Sequence, residues 1–471
     1  MARIYTAEDG PKKIPLQELS SPAEWNKKLA GIIKSKNGGD NPIIFLCGPK
    51  SSGKSTFGRL LANRLVTDQG HAKNKPWSPI AILDLDPGQP EYSPPGIISL
   101  VRVQAPNLAP SFCHPASPSQ IRSHAIAATT PAQDPSHFVA CALDLLSHHH
   151  TVLPNTPLIV NTPGWIQGTG LDILVSLIKG THPTEVIYMS FDGPDESVEA
   201  LESATRAKTT VFTTLPSQAS AGASRTSLEL RTMQTMAYFH LASLDEEPPT
   251  WETTPLNAIR PWRVRYSGAD RGFFGVLCYD HQPGPDLLGE AINGMVLGLV
   301  RVESLEAWKE FGLDEMAVDG DATEGVMVDT REGIPMVRNP FGRTLDPRYT
   351  RALGLVLVRG IDTGRKELQI VTPINGDLLC EGGKDLVLIA GKFDTPNWAY
   401  AEELYAKQWG GIKVTAGSEE EDDEEVSNPG AAGFVTTNEV VAVPWVEIIH
   451  GSKKRSIGSR VWRVRRDLGR S

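Results

Sequence analysis

IIFLCGPKSSGKSTFGRLLANRL, Ile43 to Leu65, is the stretch on which the fold turns. An apolar strand runs into Gly48-Pro49-Lys50-Ser51-Ser52-Gly53-Lys54-Ser55-Thr56, and a basic, amphipathic segment follows to about residue 66. The order strand, G-x-x-x-x-G-K-[ST], helix is that of a phosphate-binding loop. Glycines let successive backbone N–H groups converge on phosphate oxygens at a helix N-terminus, where the helix dipole also favours an anion. Lys54 is then placed for the β- and γ-phosphates of a nucleotide, and the Ser55 hydroxyl for Mg2+. The bland alternative is a glycine-rich turn with an exposed lysine.

Such a loop calls for an acid on a neighbouring strand, and IAILDLDPGQP supplies Asp84 and Asp86. Alternation puts both on one face at the carboxyl end of an apolar strand, where a bare charge is costly without a cation. One can serve a Mg2+ shell and the other can accept a proton. NTPGW, Asn161 to Trp165, ends a further strand. Asn stands at 161 where a guanine-type switch has Asp, and no NKxD or TKxD motif occurs, so adenine is the expected base and ATP the expected nucleotide. Trp165 reads equally as core packing or as a stacking platform. SRTSLELRTMQTMAYFH places Arg225 and Arg231 at the head of an amphipathic helix behind the Gly- and Ser-containing PSQASAGAS. A flexible approach to a cationic helix suits a lid that closes over a transferring phosphoryl group.

Around these motifs the chain of 471 residues is long enough for two domains. With 40% apolar and 22% charged residues it reads as globular, and no apolar run reaches the length of a bilayer span, so no membrane association is expected. MARIYTAEDGPKKIP lacks the apolar core of a signal peptide. Cys47, Cys113, Cys141, Cys278 and Cys380 are scattered with no CxxC pair, as in a reducing compartment. The net charge of −10 is unevenly spread: Glu419 to Glu425 is an uninterrupted acidic run, while the tail from Lys453 to Arg470 is basic, with Trp462 among Arg463, Arg465 and Arg466.

The expected fold class is α/β. A leading segment with a helix covers 1–40, its helix carrying Trp25, Leu29, Ile32 and Ile33 at helical spacing. A doubly wound parallel-sheet domain with a phosphate loop covers 41–257, with further strands at 79–86, 158–163, 185–191 and 209–215. A mostly antiparallel β-rich domain covers 258–450, with an acidic loop at 417–427, and a basic tail covers 451–471. Pro106 to Pro135 reads as a surface excursion near the nucleotide site.

GPKSSGKST, LDLDPGQPEYSPPG, NTPGW and ELRTMQTMAYFH together resemble the RNA or polynucleotide 5′-hydroxyl kinase family. Within it, Asp86-Pro87-Gly88-Gln89-Pro90-Glu91 is similar to the nucleolar branch that acts in pre-ribosomal RNA processing rather than to the mRNA cleavage-factor branch. The resemblance implies transfer of the ATP γ-phosphate to the 5′-hydroxyl of an RNA end. It gives Lys54 and Ser55 the phosphate and Mg2+, makes Asp86 the cation-side acid and general base, and makes Asp84 a supporting acid. It places Gln89, Thr162 and Trp165 at the RNA and clasp positions, Arg231 as the lid cation and Arg225 beside it. It also implies a HEPN-type endoribonuclease partner that leaves the 5′-hydroxyl end, a complex of two kinases with two nucleases, docking through the Trp462 tail, and a nucleolar location. Family members usually carry a β-rich domain ahead of the kinase core, whereas here the loop opens at residue 48. The competing readings are an ATP-binding scaffold without transfer, and a GTPase or transport ATPase.

Overall fold

The computed structural model describes residues 21–37, 41–68, 78–117, 119–206, 210–218, 225–244, 249–268, 270–312 and 326–402. The first seven strands are β1 (Ile43–Cys47), β2 (Ile80–Asp84), β3 (Ile97–Val103), β4 (Gln120–Ala125), β5 (Leu158–Asn161), β6 (Glu185–Met189) and β7 (Val211–Leu215). The helices that cover them are α1 (Ala23–Asn37), α2 (Lys54–Thr67), α3 (Pro135–Val152), α4 (Thr169–Thr181), α5 (Asp195–Arg206) and α6 (Ser227–Phe239). The strands join in the order β4-β3-β2-β5-β1-β6-β7. From β2 to β7 the pairing is parallel, the geometry imposed by helical crossovers.

Both faces of this sheet are covered, which is why its strands are almost continuously apolar rather than alternating. In β1, Phe45 and Cys47 face the core shared with α3, α4 and α5, while Ile44 and Leu46 face the core shared with α1 and α2. The loop after β1 therefore emerges at a rigid edge. Two strands depart from the expected parallel pattern. β3 and β4 form an antiparallel extension on β2, and β4 lies inside the Pro-rich segment read as an excursion.

The change of texture near residue 258 marks a second sheet. It consists of β8 (Trp262–Arg265), β9 (Gly275–Cys278), β10 (Val296–Val302), β11 (Met327–Val328), β12 (Met336–Val337), β13 (Thr350–Asp362), β14 (Glu367–Val371) and β15 (Leu386–Ala390). Their order is β11-β12-β9-β15-β10-β13-β14-β8, antiparallel except where β9 pairs in parallel with β12 and with β15. The acidic loop at 417–427 and the tail with Trp462, Arg463, Arg465 and Arg466 lie outside the described residues. Among the described residues no helix is long and apolar enough to cross a membrane.

Both sheets belong to one compact unit that ends at Tyr400. The join is β4, whose Ala125 enters the core of the second sheet beside Val300 and Leu355. Arg122 on β4 is buried and forked. Its Nε bonds Asp144 of α3 at 2.7 Å, one Nη bonds Glu303 at 2.8 Å, and the other reaches the carbonyls of Thr350 at 2.8 Å and Pro347 at 3.1 Å. The next residue, Ser123, donates to the Ala352 carbonyl at 2.8 Å. Removing the guanidinium takes the buried cation from Asp144, which keeps the His124 ring at 2.8 Å, and a donor from the carbonyls of Thr350 and Pro347, a loss of about 3–5 kcal/mol for a buried pair broken on one side. Arg122→Ala is expected to lose stability of that order in chemical denaturation, with both sheets affected together.

Candidate active site

The loop after β1 is shaped by close approach on two sides. Gly53, the N-cap of α2, has φ +96°, and a Cβ there would stand 2.8 Å from the Trp25 ring of α1. Trp25 is fully buried, donates its indole N–H to the Pro216 carbonyl at 2.8 Å, and meets Phe57 of α2 edge to face. From the other side Gly164 of NTPGW presses on the loop: a Cβ there would lie 2.7 Å from Lys50 Cα. The loop is thus clasped between α1 and the β5–α4 turn, and its amides are left facing a cleft of about 290 Å³.

Lys50, Ser51, Gly53, Lys54, Ser55, Thr56, Asp86 and Gln89 all line that cleft, whereas Gly48, Pro49, Ser52 and Asp84 of the predicted phosphate and acid positions do not. Gly164 and Gln218 line it as well and were missed. A glycine after a strand-ending Thr-Pro was a readable cue for Gly164. Gln218 gave none; its backbone N–H donates to the Ser52 carbonyl at 3.0 Å. The Lys54 ammonium folds back onto the carbonyls of Gly48 at 2.9 Å and Pro49 at 2.8 Å. Burial lowers the Lys54 pKa, and the Asp86 carboxylate opposes that shift. The Ser52 hydroxyl is buried without a hydrogen-bond partner, which fits a loop built to meet phosphate oxygens.

The two strand acids occupy different settings. Asp84, the last residue of β2, is fully buried. It accepts from the Glu91 backbone N–H at 2.5 Å and from the Asn161 amide at 2.9 Å. Burial outweighs these bonds and raises its pKa to about 7. Asp86 faces the cleft and caps its own turn, accepting from the backbone N–H groups of Gly88 at 3.0 Å and Gln89 at 3.2 Å. Its pKa is also raised by burial, against the pull of those bonds and of Lys54 and Lys50. A carboxylate poised toward neutrality beside a cation is what proton acceptance at a reacting centre requires.

Among the described residues no cluster of three or more His, Cys, Asp or Glu side chains could hold a metal unaided. Mg2+ does not need one, since it keeps water and takes one or two carboxylates plus substrate phosphates. Ser55 belongs to both the cleft and a small neighbouring void that Asp84 and Asn161 line, and the Asn161 side-chain oxygen Oδ1 is buried without a partner. These oxygen donors fit Mg2+, with Ser55 and Asp86 on the cleft side and Asp84 behind them.

Other predicted positions lie elsewhere. Thr162 is fully buried, and its hydroxyl donates to the Leu46 carbonyl at 2.8 Å within the sheet. Trp165 packs against the sheet core, its ring over Gly170 at the start of α4, which favours the packing reading. Arg225 is exposed just ahead of α6, whose start is closed by a Thr226–Glu229 capping box. Arg231 does not line the cleft; its Nε is 2.5 Å from Asp394 Oδ2, beyond β15.

The fold and the cleft define a P-loop nucleotide-binding protein. Residues 48–241 match the family described as mRNA cleavage and polyadenylation factor CLP1 P-loop. A Gibberella zeae protein named polynucleotide 5′-hydroxyl-kinase GRC3 is 45% identical, the match covering 99% of this chain and 66% of that protein. An Emericella nidulans protein of the same name is 34% identical, covering 99% and 63%. The chain belongs to the polynucleotide 5′-hydroxyl-kinase family. It spans just under two thirds of the length of these relatives. A solved structure titled "Extended interface between Pcf11p and Clp1p and structural basis for ATP loss in Gly135Arg point mutant" shares the fold at a TM-score of 0.55 and 12% identity, covering 82% of this chain and 83% of its own.

Two outcomes are expected from this geometry. Gly164→Ala forces a methyl group into the Lys50 backbone and should weaken binding of an ATP analogue by at least about tenfold, read by calorimetry, since a displacement near 1 Å in a positioned site can cost on the order of 100-fold. The raised pKa of Asp84 means that the folded protein keeps a proton the unfolded chain has already lost. Its contribution to stability is present below the unfolded carboxyl value and is lost as pH rises through about 7. Asp84→Asn should flatten that part of the stability profile, read by chemical denaturation at a series of pH values.

Proposed function

We propose that this protein transfers the γ-phosphoryl group of ATP to the 5′-hydroxyl of an RNA end. The observation that carries the reading is the cleft itself, where the phosphate loop with Lys54 and Ser55 faces a half-buried carboxylate, Asp86, inclined to take a proton. The names of the relatives, polynucleotide 5′-hydroxyl-kinase, support it.

In this reading the loop amides and Lys54 hold the triphosphate, and Mg2+ supplies charge neutralisation on the phosphate oxygens. The 5′-oxygen of the RNA forms its bond to the γ-phosphorus as the bond from that phosphorus to the bridging oxygen of ADP breaks. The proton of the 5′-hydroxyl passes to Asp86. Gln89 borders the mouth where the RNA terminus enters, and Thr162 acts through the sheet edge beneath the loop. Arg231 serves as the lid cation by exchanging Asp394 for the transferring group, with Arg225 at the exposed head of the same helix.

The cellular assignment rests on the motif resemblance alone. The 5′-hydroxyl end comes from a HEPN-type endoribonuclease partner in pre-rRNA spacer processing, in the nucleolus, with two kinases joined to two nucleases. The tail with Trp462, Arg463, Arg465 and Arg466 docks the nuclease.

Labelling of a 5′-hydroxyl RNA oligonucleotide from γ-labelled ATP tests the reading, with RNA compared with DNA and with the nuclease present or absent. Asp86→Asn should cut the rate by at least about 100-fold, within the span attributable to one proton-transfer group, while ATP-analogue affinity stays within about threefold. Unchanged labelling by Asp86→Asn removes the base assignment. A wild-type protein that binds ATP and labels no RNA under any of these conditions is a scaffold instead.

A further inference from the structure

The loop that carries Asp86 is gripped by side chains to which the chemistry above gives no role. Glu91 sits five residues beyond Asp86, with a side chain only 15% exposed. Both of its carboxylate oxygens accept from the Arg59 guanidinium of α2, at 2.7 and 2.9 Å. Asn107 donates to the same carboxylate at 3.0 Å, and His114 Nε2 stands 2.9 Å from it. The backbone N–H of Glu91 is the group that holds Asp84 at 2.5 Å. One residue therefore ties the buried acid, through its main chain, to the phosphate-loop helix, through its side chain.

The surroundings make this a clamp rather than an isolated ion pair. Arg59 and Asn63 lie four residues apart on α2 and so share a face. Asn63 exchanges two hydrogen bonds with the Asn107 backbone, each 2.7 Å, which seats the chain before His114 on α2. On the far side of the loop the buried Gln234 of α6 donates to the carbonyls of Pro90 at 2.7 Å and Ser93 at 2.8 Å. Residues 90–93 are thus held by α2, α6 and the chain around His114 at once. Arg59 begins one turn beyond Lys54 and Ser55 on the same helix, so the depth at which the acid loop sits is measured directly against the two residues that meet the phosphates.

We propose that Glu91 is a positioning residue, whose bond to Arg59 sets the register of the Asp84–Asp86 loop against the phosphate loop. The proposal rests on the kinase reading of the cleft for its rate effect, but its geometric content concerns cation binding and stands apart from transfer. Glu91→Ala should lower kcat by about 10–100-fold with KM for ATP within about threefold, the scale on which removing an outer-shell orienting partner acts. Glu91→Gln keeps the shape and one accepting oxygen but gives up the charge and one of the two bonds from Arg59, and should recover only part of that loss. Arg59→Met combined with Glu91→Ala should be no worse than either alone. Independently of transfer, calorimetry with a non-hydrolysable ATP analogue should show that Glu91→Ala retains binding without Mg2+ and loses most of the gain that Mg2+ gives the wild type.

Thermal unfolding accompanies each variant. If Glu91→Ala does not fold, Asn107→Ala, which removes one arm of the clamp, should show the same loss of Mg2+ gain in milder form. Full retention of the Mg2+ gain in a folded Glu91 or Asn107 variant overturns the proposal. So does a loss of analogue affinity with and without Mg2+ alike, which marks a purely structural ion pair. Absence of RNA labelling by the wild type overturns the kinase reading while the Mg2+ comparison still decides the clamp.

Discussion

Close contact between backbones, more than any single bond, is what the site depends on. A phosphate cradle needs several amides turned to one side, and a loop in that shape has few internal hydrogen bonds of its own. Support comes from outside it. The Trp25 ring lies under Gly53, the Met189 backbone lies within 3.0 Å of where a Gly48 Cβ would be, and Gly164 abuts Lys50. The glycines are thus as much a packing requirement as a conformational one. Trp25 matters twice, since its indole also fixes the Pro216 carbonyl and so the end of β7 from which Gln218 reaches the cleft. A helix outside the sheet, α1, is in this way part of the phosphate site.

Electrostatics then divides the labour among three acids that sit within eight residues of one another. Asp84 has neutral donors around it and is pushed up to about 7. Asp86 is raised by burial as well, but with Lys54 and Lys50 in range to oppose the rise. Glu91 has the Arg59 guanidinium and the His114 ring, which outweigh its burial and hold its carboxyl below the usual range. The same chemical group is set to three protonation tendencies by what surrounds it, the general means by which one pocket supplies both a cation ligand and a base.

The second sheet reaches this pocket through α6. Tyr238 docks that helix on β13, its hydroxyl accepting the Leu355 N–H at 2.9 Å beside Gly354, where a side chain would collide with it. Gln234 then holds the acid loop, and Arg231 is paired with Asp394. Together with the Arg122 fork, these contacts make the β-rich half a support for the chemistry of the α/β half rather than an appended module.

Much of this was legible in the chain. The phosphate loop, the acids at the end of β2 and the five parallel strands follow from glycine spacing, apolar runs and turn residues, because such patterns act over a few residues and fix local backbone shape, whereas β3 and the two-residue strands β11 and β12 were not read. β4 was hidden because Pro and Ser around it mask a short strand whose apolar face meets the other sheet instead of its own. The contacts of Trp25, Gln218 and Glu91, and the pairing of Arg231 with Asp394, were equally out of reach. Arg231 and Asp394 are 163 residues apart, and Trp25 and Pro216 are 191 apart. The sequence by itself determined the nucleotide loop and the residues able to carry charge beside it. Only the tertiary structure decided which of them face the cleft, which are neutralised by partners from distant segments and which are spent on packing, because hydrogen bonds and burial between distant segments come into being only when the chain closes on itself.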